Sequence, residues 1–199
     1  MTGRATSPPL PVIVVTGPSG AGKGTLIEAL VQEMPQLEVA VSATTRKRRP
    51  GEENGREYWF ISDEKFERRI EAREFLEHVT YVSGHRYGTL RSELDRIAAA
   101  GRACVLELEI DGALSVRDEV PGSVTIFVRA PIAELERRLR ARATESAGEI
   151  GERLALARAQ LEQADEFQYV VENTDVTQAV GELSAIVRQA LAAATMSRP

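Results

Sequence analysis

The pattern of apolar and polar positions divides the chain into short, continuously apolar stretches separated by segments of helical spacing. Pro11 opens PVIVV, a β-branched run that is apolar throughout, as in a strand covered on both faces. It leads into a glycine-rich loop at 17–25. Beyond it Leu26, Ile27, Leu30, Val31 and Met34 fall at helical spacing, and Pro35 ends that helix. Further strands are predicted at 103–108, 124–128 and 169–171, and helices at 132–142, from 149 to about 164, and from 176 to about 194. Strands alternating with helices predict an α/β fold, a parallel sheet flanked by helices.

Residues 42–89 break that rhythm. They are rich in Arg, Glu, Gly and aromatics, with strand-like pieces at 57–61 and 75–79 around a helix at 64–71, and read as an inserted lobe. Its aromatics Tyr58, Trp59, Tyr81 and Tyr87 are candidates for a ring-binding pocket. Residues 1–10, with Pro8 and Pro9 among small polar residues, read as a flexible leader, and 11–195 as one domain. A chain of 199 residues buries about 70% of the surface its unfolded form exposes, so no disulfide or metal staple is needed. No apolar run approaches the ~20 residues of a membrane span, and the first residues lack the apolar stretch of a secretory signal. Cys104 is the single cysteine, which excludes an intrachain disulfide or a cysteine zinc site and fits a reducing cytoplasm. His78 and His85 have no metal-ligand or triad partners in the sequence and read as non-catalytic.

With 25 Lys+Arg against 30 Asp+Glu, the net charge is −5, so the chain is no general polyanion binder. Any phosphate must meet locally concentrated positive charge. The loop Gly17-Pro18-Ser19-Gly20-Ala21-Gly22-Lys23-Gly24-Thr25 supplies it. Lying between a predicted strand and a predicted helix, it has the context of a phosphate cradle. Glycines permit the unusual torsions and close approach, backbone N–H groups and the helix N-terminus stabilise negative charge, and Lys23 adds a mobile cation. Gly24 stands directly after Lys23, where a Ser or Thr would supply a hydroxyl for Mg²⁺, and Thr25 follows it. The ion is therefore expected to be held by phosphates and water, with Thr25 and Asp111 as possible partners through water.

A second cluster runs from Ser42 to Phe60. Four consecutive cations, Arg46 to Arg49, would on charge alone read as a solvated face or a nucleic-acid patch. Their neighbours change that reading. Arg46 and Arg49 can clamp a phosphate bidentately, Ser42 and Tyr58 can donate hydroxyl hydrogen bonds to it, and Glu52 offers an acceptor. Here the chain resembles the guanylate kinase family, whose S-x-T-T-R-x-P-R-x-G-E-x-x-G-x-x-Y-x-F segment it matches at Ser42, Thr44, Thr45, Arg46, Arg49, Gly51, Glu52, Gly55, Tyr58 and Phe60. Arg48 replaces the family's proline, and Pro50 lies two positions on. The resemblance spans about 11–187.

The resemblance implies a P-loop NTPase-type sheet with an inserted GMP-binding lobe at about 42–89 and a helical lid at about 131–164. The core would then be about 11–41, 90–130 and 165–195. It implies that Ser42, Arg46, Arg49, Tyr58 and Tyr87 bind the GMP phosphate, that Glu77 reads guanine and that Thr89 touches the base. Glu109 takes the place of the family's guanine-contacting Asp, and Asp111 replaces a Gln. Arg138, Arg142 and Arg153 match the lid arginines, and Asn173 matches an adenine contact. The implied activity is Mg²⁺-assisted phosphorylation of GMP, and of dGMP, by ATP, with no nucleic-acid or membrane partner. Two alternatives stand beside it: a P-loop kinase for another phosphorylated acceptor such as a ribose phosphate, and a catalytically silent binding module.

Overall fold

The structure, a computed structural model, describes residues 10–81, 84–141 and 147–196. In chain order its elements are β1 (Ile13–Thr16), α1 (Lys23–Glu33), β2 (Leu37–Val39), β3 (Ala43–Thr44), β4 (Trp59–Phe60), α2 (Asp63–Glu71), β5 (Phe75–Thr80) and β6 (Arg86–Leu90). There follow α3 (Arg91–Ala99), β7 (Ala103–Glu107), α4 (Ile110–Glu119), β8 (Val124–Arg129), α5 (Ile132–Ala141), α6 (Ala147–Leu161), β9 (Tyr169–Glu172) and α7 (Val176–Met196). A short 3₁₀ turn, Ala164–Glu166, separates α6 from β9.

Five strands form a parallel sheet in the order β2-β7-β1-β8-β9. Alternate residues of the central strand go to opposite faces. Ile13 and Val15 join Leu26, Leu30, Val128 and Leu183 in one core, while Val14 joins Leu106, Ile110, Val116 and Phe127 in another. This two-sided burial is the physical reason for the unbroken apolar run in the sequence. Helix α1 ends at Glu33, two residues before Pro35, because proline disfavours helical torsions in the residue preceding it.

A second sheet, ordered β4-β3-β6-β5, is built wholly from 43–90. Its β3/β6 and β5/β6 pairs are antiparallel, and it has its own small core of Ala43, Phe66, Phe75 and Leu90. Helix α2 is capped by the Ser62 hydroxyl, which accepts from the Lys65 N–H at 3.2 Å, with Asp63 and Glu64 in the first turn as the helix dipole favours. The expected strand at 57–61 contracts to Trp59–Phe60, and several elements have no counterpart in the sequence reading: β2, β3, β6, α3 and α4. Strands of two or three residues are too short to display a period, and β6 contains Gly88, which weakens a strand signal.

Phe66 is fully buried and stacks on Phe75 with ring centroids 4.3 Å apart. Phe66→Ala is expected to cost about 3–5 kcal/mol. Urea unfolding would read that loss, and amide exchange would accelerate first in β5 and β6, since the lobe core has few other members.

Candidate active site

The loop between β1 and α1 curls because three glycines adopt positive φ: +138° at Gly17, +86° at Gly20 and +88° at Gly22. Neighbouring strands close on it. A Cβ at Gly17 would stand 2.1 Å from the Val128 carbonyl oxygen, and one at Gly22 would stand 2.4 Å from Nδ2 of Asn173. Helix α1 begins at Lys23 with no side-chain cap and no acidic residue in its first turn, so its N-terminal N–H groups keep their attraction for an anion. Lys23 Nζ donates to the carbonyls of Gly17 (2.7 Å) and Pro18 (3.3 Å), which holds the ammonium across the loop. Ser19 is exposed on the loop, Ala21 is buried beneath it, and Thr25 is exposed on α1. Gly24 faces the Glu107 carboxylate, 3.7 Å from where its Cβ would be.

Two residues expected at bound nucleotide bond to the glycine-rich loop itself. Arg138 of α5 donates Nε to Glu134 (2.6 Å), Nη1 to the carbonyls of Gly20 (3.3 Å) and Ala21 (3.2 Å), and Nη2 to the carbonyl of Asn173 (2.9 Å). Its guanidinium therefore braces the loop from the carbonyl side. Asn173 is 1% exposed and donates Nδ2 to the Ala21 carbonyl at 2.7 Å, so it supports the loop from beneath. Its Oδ1 is buried without a hydrogen-bond partner. Arg153 lies on the exposed side of α6, and Arg142 falls outside the described residues.

Between the two sheets opens a cleft of about 480 Å³. Lys23, Glu107 and Glu109 line it from the core, and Ser42, Tyr58, Glu77 and Tyr87 from the lobe. The tyrosines stand edge to face, Tyr58 with Tyr87 at 5.7 Å and Tyr87 with Tyr81 at 5.0 Å. Tyr81 O–H donates to Glu109 at 2.9 Å, joining the lobe to the core across the cleft. Burial pushes the Tyr58 and Tyr81 hydroxyls upward, and the Glu109 carboxylate adds to the effect on Tyr81. Glu77 accepts the Thr89 N–H at 2.9 Å, and its other oxygen lies 3.0 Å from where a Gly112 Cβ would be. Burial pushes the Glu77 carboxyl above the usual carboxylate range, with the Thr89 bonds pulling the other way.

Arg46, Arg49, Glu52 and Thr89 do not line this cleft. The Arg46 guanidinium makes a bidentate pair with Glu52 (2.7 and 3.1 Å) and sits 5.4 Å from the Tyr58 ring centroid. Glu52 also accepts the Arg49 N–H at 2.7 Å, and these donors hold its carboxyl below the usual range, the Arg46 bond foremost. The Arg49 residue is exposed. Thr89 is 1% exposed and holds Glu77 through both its side chain and its backbone N–H. Asp111 lines a second cavity, of about 540 Å³, beside Arg91 and Ser115, which shares Glu77 and Glu109 with the cleft.

Two cleft carboxylates have no role in the sequence reading. Glu107 ends β7 beside β1, where α/β sheets place ligands, and its position at a strand's carboxyl end was the available signal. Although open to the cleft, its carboxyl is crowded enough for desolvation to push it upward, against the pull of Lys23. Glu57, next to Tyr58, lies in an irregular segment that gave no signal.

Gly22→Ala must both strain a backbone at φ +88° and displace Asn173. The expected result is a folded protein with turnover reduced about 10²-fold, the scale of a 1 Å misplacement at a reacting centre. Thermal unfolding together with donor-nucleotide affinity would check it.

The geometry agrees with what the chain resembles. The guanylate kinase family model matches residues 10–190. A guanylate kinase of Rubrobacter xylanophilus is 48% identical over 182 residues, covering 91% of this chain and 95% of its own. One of Symbiobacterium thermophilum is 46% identical, covering 88% and 83%. The crystal structure of guanylate kinase from Anaplasma phagocytophilum superposes with a TM-score of 0.73 at 26% identity, over 93% of this chain and 88% of that one. With the glycine-rich loop and the lobe facing each other across one cleft, this chain belongs to the guanylate kinase family.

Proposed function

We propose that this protein transfers the γ-phosphoryl group of ATP to the phosphate of GMP, or of dGMP, releasing ADP and GDP or dGDP. The observation that carries the reading is the shared cleft, in which Lys23 from the phosphate loop faces Ser42, Tyr58, Glu77 and Tyr87 from the lobe. Guanine presents donors at N1 and N2. Glu77, held by the Thr89 N–H, supplies the matching acceptor pair, whereas adenine lacks the N2 amine. The hydroxyls of Ser42, Tyr58 and Tyr87 donate to the acceptor phosphate, with Arg46 close behind them. That phosphate is already an oxyanion at neutral pH, so transfer needs positioning and charge neutralisation more than a general base.

The cleft carries the carboxylates Glu57, Glu77, Glu107 and Glu109 as well as Lys23, so bound polyanions need further cations. Arg46 and Arg49 from the lobe and Arg142 and Arg153 from the 131–164 segment are the arginines assigned to that task. Among the described residues no cluster of three or more His, Cys, Asp or Glu could hold a metal ion. A divalent ion borne mainly by the donor's phosphates suits such a site, with Thr25 on α1 and Glu107 facing Gly24 as its protein partners. Bound there, Mg²⁺ would neutralise charge on the phosphates. A silent binding module would not need three loop glycines at positive φ and a lysine held over them. Cys104 is a buried free thiol, in keeping with a cytoplasmic enzyme, and no described helix is long and apolar enough to cross a membrane.

A coupled ADP-release assay with GMP, dGMP, AMP, CMP and ribose 5-phosphate is expected to show turnover with GMP and dGMP far above the rest. Equal rates with AMP, or a preference for the sugar phosphate, would sink the assignment. Glu77→Gln should raise KM for GMP about 10–100-fold, the worth of one or two hydrogen bonds to a charged acceptor. Because the Glu77 carboxyl is pushed above the usual carboxylate value, acidification protonates it early and removes its acceptor. KM for GMP should therefore rise as pH falls toward that elevated value, and Glu77→Gln should flatten the dependence.

A further inference from the structure

The chain crosses between the two sheets twice, outward between the end of β2 at Val39 and the start of β3 at Ala43, and back where β6 ends at Leu90 and α3 begins at Arg91. Glu93, in the first turn of α3, lies beside both crossings and is 4% exposed. Its Oε2 accepts the backbone N–H of Val41 (3.1 Å) and Arg96 Nη2 (2.9 Å). Its Oε1 accepts the indole N–H of Trp59 in β4 (3.2 Å) and Arg96 Nε (3.2 Å). Four N–H donors fill the four acceptor sites of one carboxylate. Arg96 is tied in turn to Glu38 of β2 (2.5 Å), which also accepts from Arg102 (2.9 Å), so the carboxylate is fixed to the parallel sheet.

The two lobe groups that Glu93 holds are each one residue from a cleft-lining residue. Val41 precedes Ser42, and Trp59 follows Tyr58. Successive side chains point to opposite faces in extended chain, so a bond that pins Trp59 outside the cleft fixes where Tyr58 stands inside it. We propose that Glu93 is a positioning residue for the acceptor site, setting the angle of the lobe against the core and so the placement of Ser42 and Tyr58. It touches no substrate. Its effect falls on the acceptor half of the cleft, because the phosphate loop joins β1 to α1, is braced by Arg138 of α5 and by Asn173, and takes nothing from α3. The kinetic part of this inference rests on the GMP kinase reading; the structural part does not.

Trp59 is the chain's one tryptophan, so its emission reports the pin directly. In Glu93→Ala the emission should shift to the red and acrylamide quenching should increase. KM for GMP should rise about tenfold, the equivalent of one hydrogen bond to a charged group, while KM for ATP stays within about twofold. Glu93→Gln, which retains one acceptor oxygen, should fall between. Trp59→Phe removes the indole donor alone and should raise KM for GMP by about threefold, giving a second route if Glu93→Ala unfolds. Unchanged Trp59 emission in Glu93→Ala, or equal rises in KM for GMP and ATP, would overturn the proposal. Should the wild-type protein fail to phosphorylate GMP, the functional assignment falls while the fluorescence arm still decides whether Glu93 holds the lobe.

Discussion

A loop that turns its N–H groups toward an anion must turn carbonyl oxygens away from it, and those oxygens then need donors of their own. Much of the site is organised around this requirement. Arg138 covers the carbonyls of Gly20 and Ala21, Asn173 shares the latter, and the Lys23 ammonium takes those of Gly17 and Pro18. The glycines that make the curl possible also leave room for these groups, since a Cβ at Gly22 would overlap the Asn173 amide. Cradle and braces are therefore one unit. Elements as distant in sequence as α5 and the turn after β9 thus hold the loop in shape.

The second organising fact is the separation of the cleft into two walls on two sheets. Donor and acceptor are both polyanions, and a rigid single-sheet site would have to tolerate their repulsion while staying open to water. Placing the acceptor wall on a lobe with its own small core lets the two halves be assembled separately and meet through few contacts. The Tyr81–Glu109 hydrogen bond and the Glu93 network are two such contacts, one across the cleft mouth and one at the crossings. Charge inside the cleft is mixed. Arg46 is paired with Glu52 in this arrangement, so its charge is offset.

Much of the fold could be read from the chain because its strands are buried on both faces and its longer helices carry one apolar stripe. The run before Gly17 and the helix ending ahead of Pro35 are cases where local chemistry and tertiary position agree. Helices α3 and α4 were harder. Each is nine or ten residues long, and α3 buries a carboxylate, Glu93, where a hydrophobic pattern expects an apolar side chain. The glutamate is stable there because Val41 and Trp59 join Arg96 of its own helix in donating to it, and no local window contains the first two.

The sequence by itself determined the chemistry offered to the two walls of the cleft: a glycine loop with lysine on one side, hydroxyls and a carboxylate on the other. That information is local, since torsional freedom, charge and donor capacity belong to the residues themselves. Tertiary structure alone decided which of those residues reach the cleft. It turned Arg138 and Asn173 to the back of the loop, buried Thr89 behind Glu77 and drew Glu107 to the cleft floor, because satisfying buried polar groups depends on partners tens of residues away.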